Sequence, residues 1–137
     1  MRLHGLLCRL TPRYSDLDLF GHVNNIRLLE LVQDALFSLA WPDEVDGLFS
    51  DGFFIARHEI DYHARMKRGF QPVPVEVWVE AVGNSSFTVR CACRQEGQRV
   101  FTTRSVVVAR ARREERARPL TPRERAYLTN HMCPSLG

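Results

Sequence analysis

The apolar positions in the first third of the chain follow the period of a helix. Over residues 24–40, apolar side chains cover most of the circumference of the helix. One narrow polar stripe recurs at helical spacing and comprises Arg27, Glu30, Asp34 and Ser38. Asn24 suits the N-cap position, and Pro42 ends the helix. Because so much of its surface is apolar, we expect this helix to be buried on most sides, with a sheet wrapped around it.

Alternating apolar and polar residues predict one strand before this helix and four after it. The predicted ranges are 5–13, 53–63, 73–81, 87–95 and 99–110, and turn-like segments join the last three strands as hairpins. A capping box formed by Thr121 and Glu124 opens a short second helix over residues 122–129. The order predicts an α+β fold, with an antiparallel sheet of about five strands, one long central helix and a short C-terminal helix.

The strand at 73–81 shows the cleanest alternation. One face carries Val73, Val75, Val77, Val79 and Ala81. Trp78 falls on the opposite face, where we expect it to be exposed unless another chain covers it. In the next strand, the side chains predicted to face inward are Phe87, Val89, Cys91 and Cys93.

Length and cysteine spacing narrow the possible classes of protein. The 137 residues suit a single domain spanning 1–137, and no apolar run approaches the length that crosses a membrane. The first eight residues are too short for a signal peptide, so we expect a cytoplasmic protein with no membrane partner. The four cysteines, Cys8, Cys91, Cys93 and Cys133, lack metal-finger spacing. We expect them to be reduced packing residues, and we expect no metal.

Positive charge is concentrated in the last quarter of the chain, although the formal net charge is only +3. The arginines there are Arg110, Arg112, Arg113, Arg116, Arg118, Arg123 and Arg125. Such a cluster could attract phosphates of a substrate or of a nucleic acid, but glutamates interrupt it and no aromatic residues are interleaved. We therefore expect a solvated, partly self-paired surface and no nucleic-acid partner.

The segment 16–25 carries the strongest candidate chemistry. It places the carboxylates of Asp16 and Asp18, followed by Gly21, directly before the N-terminus of the predicted helix. Unpaired backbone N–H groups and the positive end of the helix dipole can stabilise a developing oxyanion there, and a thioester carbonyl would suit this geometry. Asp16 taken alone suits a turn or cap. A calcium loop does not fit, because Phe20 and Arg27 occupy positions that need oxygen ligands.

This segment, Asp-Leu-Asp-Leu-Phe-Gly-His-Val-Asn-Asn, resembles the signature of the hotdog-fold acyl-CoA thioesterases, in particular the 4-hydroxybenzoyl-CoA thioesterase-like group. Supporting matches occur at 59–62, 83–87 and 118–122, so the resemblance covers most of the chain. It implies a hotdog fold with Asp18 as the catalytic carboxylate. The residues that it implies for substrate binding are Gly21, His22, Asn24, Asn25, Ser85 and Ser86.

The resemblance also implies an activity and an assembly. The chain would hydrolyse an acyl thioester to a free acid and coenzyme A without a cofactor, with Asp18 acting as nucleophile or as general base. A carrier-protein thioester is an equally open substrate, and Ile26 and Leu29 suggest a fatty or aromatic acyl group. Two chains would join their sheets edge to edge, giving a homodimer or homotetramer with each active site at a subunit boundary.

Three positions depart from the pattern of this group. Leu28 stands where relatives usually carry Tyr, Gln33 where many carry Glu, and Asn84 where many carry Arg. The chain therefore lacks a second helix carboxylate at the usual place, and phosphate contacts would fall to the cluster at 65–68 or to the C-terminal arginines. A non-catalytic acyl-CoA-binding or regulatory module remains the alternative, whereas a hotdog dehydratase lacks the His that its turn requires.

Overall fold

The computed structural model describes residues 6–40, 48–67, 72–114 and 116–132. Along the chain these residues form β1 (Leu6–Leu10), a 3₁₀ turn (Tyr14–Asp16), α1 (Asn25–Ala40), β2 (Phe53–Tyr62), β3 (Val73–Val82), β4 (Ser86–Gln95), β5 (Gln98–Ala109) and α2 (Pro122–Asn130). This order confirms the predicted α+β class. Apart from β1, which is shorter than predicted, the boundaries lie within about two residues of those predicted, as local periodicity allows.

The five strands form one antiparallel sheet in the order β1-β3-β4-β5-β2. Strands β3, β4 and β5 are consecutive hairpins, as the turn signals predict. Strand β2 pairs with β5 and forms one edge of the sheet, and β1 forms the other edge beside β3. The chain therefore brings the end of β2, which leads into residues 63–67, to an outer side of the sheet.

Helix α1 packs against β1, β3 and β4. Its buried residues are Leu28, Val32, Ala35, Leu36, Leu39 and Ala40. Apart from Ala40 these positions form one stripe, whereas Ile26 and Phe37 are 73% and 40% exposed. The prediction that the helix is buried on most sides is wrong for the single chain, because the sheet covers only one face of it.

The prediction for Trp78 is also wrong. Trp78 is only 1% exposed, although it lies on the face of β3 opposite Val77 and Val79. The Arg90 guanidinium lies 5.7 Å from the centre of the indole ring and helps to cover it. A bulge between Val79 and Ala81 breaks the predicted alternation, and Ala81 is exposed.

The described cysteines pack in the sheet as predicted. Cys91 and Cys93 are fully buried and reduced, and Cys8 is a half-buried free thiol. Burial raises the pKa of both the Cys91 and Cys93 thiols to about 12, so they stay protonated and unreactive. The prediction for Cys133 lies outside the described residues.

Helix α2 begins with the predicted capping box. The Thr121 hydroxyl accepts the Glu124 N–H at 3.1 Å, and the Glu124 carboxylate accepts the Thr121 N–H at 2.9 Å. Glu124 is buried, and its two oxygens accept hydrogen bonds from the Arg118 guanidinium at 2.8 and 2.9 Å. One of them also accepts the Phe49 N–H at 2.9 Å. This carboxylate therefore ties the start of α2 and the residues just before it to the distant segment at Phe49.

Within the described ranges, no helix has both the length and the apolar character needed to cross a membrane.

Candidate active site

Asp16 holds together the loop that precedes α1. Its carboxylate accepts the Arg13 N–H at 2.7 Å and pairs with the Arg13 guanidinium at 3.0 Å. Its backbone carbonyl accepts the Asn24 N–H at 2.8 Å, which closes the loop at the start of the helix. The hydrogen bond from Arg13 outweighs the effect of burial and lowers the pKa of Asp16. Asp16 is therefore a structural residue, as its turn chemistry predicts.

Asp18 lies at the centre of a tight turn within this loop. Its N–H donates to the His22 carbonyl at 2.7 Å, and its carbonyl accepts the Gly21 N–H at 3.2 Å. Its Oδ1 atom accepts the N–H groups of Phe20 and His22 at 2.8 and 3.1 Å. Gly21 has a φ of +78°, a left-handed conformation that other residues rarely adopt. The turn thus fixes one carboxylate oxygen of an exposed side chain, and no described residue donates a hydrogen bond to the other, Oδ2.

The surroundings of Asp18 keep its carboxylate charged. The backbone hydrogen bonds from His22 and Phe20 lower the pKa of Asp18, and the charges of His22 and Arg65 act in the same direction. A carboxylate of this kind is ionised at neutral pH, as a nucleophile or proton acceptor must be.

The first turn of α1 supplies free hydrogen-bond donors. The Asn24 side chain accepts the Ile26 N–H at 2.8 Å, and the Asn24 carbonyl accepts the Leu28 N–H at 2.8 Å. These bonds confirm Asn24 as the N-cap. In the part of the chain that the structure describes, the N–H groups of Asn25 and Arg27 have no acceptor. Both groups also lie at the positive end of the helix dipole.

Asp18 and the helix start open onto the same cleft, which has a volume of about 650 Å³. The residues that line it are Asp18, Phe20, His22, Val23, Asn24, Asn25, Ile26, Tyr62, His63, Ala64 and Arg65. Asp18 is the only carboxylate among these lining residues. Among the residues that the structure describes, the buried Nδ1 atom of His22 has no hydrogen-bond partner. The cleft can therefore hold a polar carbonyl between an anion and a set of free donors.

The end of β2 forms the opposite wall of the cleft. The Tyr62 hydroxyl donates to the Asn25 carbonyl at 3.0 Å and so ties the sheet edge to the helix start. Burial raises the pKa of Tyr62, which keeps this hydroxyl a donor. Sequence reasoning did not place Tyr62, His63 or Arg65 beside Asp18. The motif at 59–62 that resembles the thioesterase group was a signal in the sequence. Only tertiary contacts show that it lies beside Asp18.

The structure brings most of the predicted site residues together. Asp18, His22, Asn24 and Asn25 line the cleft, and Gly21 shapes its loop. The predicted substrate-binding residues Ser85 and Ser86 do not line this cleft, because Ser85 lies in the turn between β3 and β4 and Ser86 begins β4. Their backbone carbonyls accept the N–H groups of Ala109 and Gly83. Their contact with substrate stays a prediction.

The polar stripe of α1 faces a different cleft, with a volume of about 560 Å³. The residues that line it are Thr11, Arg13, Asp16, Arg27, Glu30, Leu31, Gln33 and Asp34. Glu30 accepts a hydrogen bond from Arg27 at 2.9 Å. Neither Glu30 nor Asp34 is among the residues that line the Asp18 cleft. Chemistry in the Asp18 cleft would therefore depend on Asp18, because α1 supplies no second carboxylate to its lining.

Residues 12–126 match the family described as the Thioesterase-like superfamily, and the chain belongs to this superfamily. The fold matches the structure of a predicted thioesterase from Bacillus stearothermophilus, with 30% identity, a TM-score of 0.81 and coverage of 94% of this chain and 97% of that one. A thioesterase from Thermus thermophilus, complexed with coenzyme A and Zn, matches at 29% identity and a TM-score of 0.74, covering 89% of this chain and 90% of that one.

A Staphylococcus aureus protein in complex with CoA shares the fold alone. It is 10% identical, with a TM-score of 0.80 and coverage of 96% of this chain and 85% of that one. No curated protein matches the chain by sequence. These structural likenesses identify the architecture as the hotdog fold of thioesterases.

Proposed function

We propose that the chain is a thioester hydrolase that converts an acyl-CoA to a free acid and coenzyme A. The observation that carries this proposal is one cleft holding both the ionised Asp18 carboxylate and the unpaired Asn25 N–H. Membership of the Thioesterase-like superfamily supports the reaction class. The complex of the Thermus thermophilus relative with coenzyme A supports a CoA thioester as substrate.

The reaction requires an attack on the thioester carbonyl and a site for its oxygen. Asp18 either attacks the carbon directly, giving a mixed anhydride that water then hydrolyses, or removes a proton from an attacking water. In both routes the C–S bond breaks and the thiolate leaves with the electron pair. The Asn25 N–H would receive the developing oxyanion, and such a donor lowers the barrier by about 3–4 kcal/mol.

We further propose that two chains associate through β2. This edge strand ends beside the cleft, and Phe20 in the cleft wall is 78% exposed. An unpaired edge next to exposed apolar side chains is a surface that proteins usually cover. Analytical ultracentrifugation should give a mass of two or four chains, and a monomer at micromolar concentration would contradict this assembly.

The reaction is tested by thiol release from short, long and aromatic acyl-CoAs. The native chain should turn over at least one of them, and a non-hydrolysable thioether analogue of that substrate should compete for the same cleft. Tight binding of the analogue without turnover of any thioester would favour the non-catalytic module. The absence of a second carboxylate from the cleft lining is the observation that keeps this alternative open.

The pH dependence of hydrolysis should follow the low pKa of Asp18. Activity needs the ionised carboxylate, whose pKa lies below its ordinary value of 3.8 because His22 and Phe20 donate to it. As pH falls, kcat/KM should therefore stay high until below 3.8 and then decline. The assay should be paired with circular dichroism to show that the chain is folded. If kcat/KM of the folded protein instead declined around pH 5.5, the group that titrates would not be Asp18.

Tyr62 should act as a positioning residue. Tyr62→Phe removes the hydroxyl that donates to the Asn25 carbonyl, so the helix start is held less firmly against β2. We expect kcat to fall about two- to tenfold with little change in KM or in melting temperature. Tyr127→Phe is the matched control, because Tyr127 donates in the same way to the Leu39 carbonyl at the other end of α1. Equal losses of kcat in the two variants would contradict a local positioning role.

A further inference from the structure

Residues 63–67 form a firmly held segment beside the catalytic loop. The Val23 N–H donates to the Met66 carbonyl at 2.8 Å, and the His63 N–H donates to the Val100 carbonyl at 2.8 Å. The Gln95 side chain bonds both the N–H and the carbonyl of Lys67, at 2.8 and 2.5 Å. Met66 is buried, whereas Arg65 and Lys67 on either side of it are more exposed. These bonds fix the backbone from which the Arg65 and Lys67 side chains extend.

The two cations differ in their relation to the cleft. Arg65 lines the Asp18 cleft, and Lys67 does not. Among the described residues, seven other arginines form salt bridges with carboxylates, namely Arg13, Arg27, Arg57, Arg90, Arg104, Arg116 and Arg118. Across the described ranges, Arg65 has no carboxylate within salt-bridge distance. It is a free cation in the wall of the candidate active site.

Hydrolysis of a neutral acyl group does not require this cation, because the helix N-terminus already serves the carbonyl oxygen. An acyl group with its own negative charge would be repelled by Asp18, and a cation in the cleft offsets that repulsion. A guanidinium also binds carboxylates through two parallel hydrogen bonds. Phe20, Val23 and Ala64, which line the same cleft, suit the short methylene chain between a thioester and such a charge.

We propose that Arg65 binds a terminal carboxylate on the acyl group, so that the preferred substrates are half-thioesters of short dicarboxylic acids. This inference rests on the proposed thioester hydrolysis and replaces the expectation of a fatty or aromatic acyl group. The phosphates of coenzyme A are a poorer match for Arg65. The pantetheine arm separates them from the thioester, whereas Arg65 shares the cleft with Asp18.

The test compares succinyl-CoA with butyryl-CoA and glutaryl-CoA with pentanoyl-CoA, which have matched acyl chain lengths. In the native chain, kcat/KM for the anionic member of each pair should exceed that for the neutral member by at least about tenfold. Arg65→Gln should lower this ratio to one or below, because Asp18 then repels the acyl carboxylate without compensation. Lys67→Gln, which removes the neighbouring cation outside the cleft, should keep the ratio. A native ratio near one, or an equal loss of preference in both variants, would overturn the proposal.

A second arm separates the acyl carboxylate from the carrier phosphates. The same four acyl groups are presented as pantetheine thioesters, which lack every phosphate. The ratio and its loss in Arg65→Gln should both persist with these substrates. Loss of the Arg65 effect with pantetheine thioesters would show that Arg65 binds a phosphate, and the proposal would fall.

Calorimetry with non-hydrolysable thioether analogues of the same pairs measures binding affinity directly, so this arm of the test does not depend on turnover. Preferential binding of the anionic analogue by the native chain, lost in Arg65→Gln, would support the Arg65 site even if hydrolysis were not observed. Equal binding of the anionic and neutral analogues would overturn it even in an active enzyme.

Discussion

Replacing Asp18 with asparagine should lower kcat for thioester hydrolysis by about a thousandfold while leaving substrate binding nearly unchanged. The amide cannot act as a nucleophile or accept a proton from water. Its oxygen can still accept the N–H groups of Phe20 and His22, so the turn should keep its shape. The measurement is kcat and KM for the best acyl-CoA, with melting temperature as the check on folding.

Glu96→Gln is the matched control for this variant. Glu96 is an exposed carboxylate in the turn between β4 and β5, and it does not line the cleft. We expect its kcat to remain within about twofold of the native value, because surface substitutions away from a site have small effects. Activity that survives Asp18→Asn would move the chemistry to another residue. Equal losses in the two variants would show that the effect is not specific to the cleft.

Replacing Glu124 with glutamine should produce the largest loss of stability, about 3–5 kcal/mol in the free energy of unfolding. The change leaves the Arg118 guanidinium, only 16% exposed in its side chain, without its closest counter-charge. It also weakens the bonds accepted from the N–H groups of Phe49 and Thr121. Urea unfolding followed by circular dichroism measures the loss.

The surface pair formed by Glu114 and Arg116 provides the control. Both side chains are more than half exposed, so Glu114→Gln should cost less than about 1 kcal/mol. Similar losses in Glu114→Gln and Glu124→Gln would contradict the anchoring role of the buried carboxylate.

The Glu124 anchor also predicts how stability depends on pH. Burial opposes ionisation of Glu124, but hydrogen bonds from Arg118, Thr121 and Phe49 outweigh it and lower the pKa from 4.5 to about 2. A depressed pKa stabilises the fold above the unfolded value, and that stabilisation is lost as pH falls from 4.5 towards 2. The native chain should therefore lose more stability across this interval than Glu124→Gln. Parallel curves would contradict the assignment.

Much of the fold could be predicted because its signals are local. Helix α1, the β3–β4–β5 hairpins and the Thr121 cap each depend on residues close together in sequence. The same is true of the candidate site, where Asp18 and Asn25 are only seven positions apart. A contiguous segment carries its own geometry, so its residues could be assigned before any contacts were known.

The wrong or missing predictions depend on distant contacts. The burial of Trp78 depends on contacts beyond its own strand, including the Arg90 guanidinium on the neighbouring strand, and the bulge before Ala81 has no local signal. Similarly, α1 is exposed on one side because the sheet covers only part of it. The placement of Tyr62 and Arg65 beside Asp18 requires the end of β2 to meet the start of α1.

The most direct test is an experimental structure with a ketone analogue in which a methylene group replaces the thioester sulfur. The account predicts that the ketone oxygen accepts a hydrogen bond from the Asn25 N–H and that the ketone carbon faces the free oxygen of Asp18. A ketone bound outside this cleft, or bound within it with the Asp18 carboxylate out of reach of the carbon, would contradict the account.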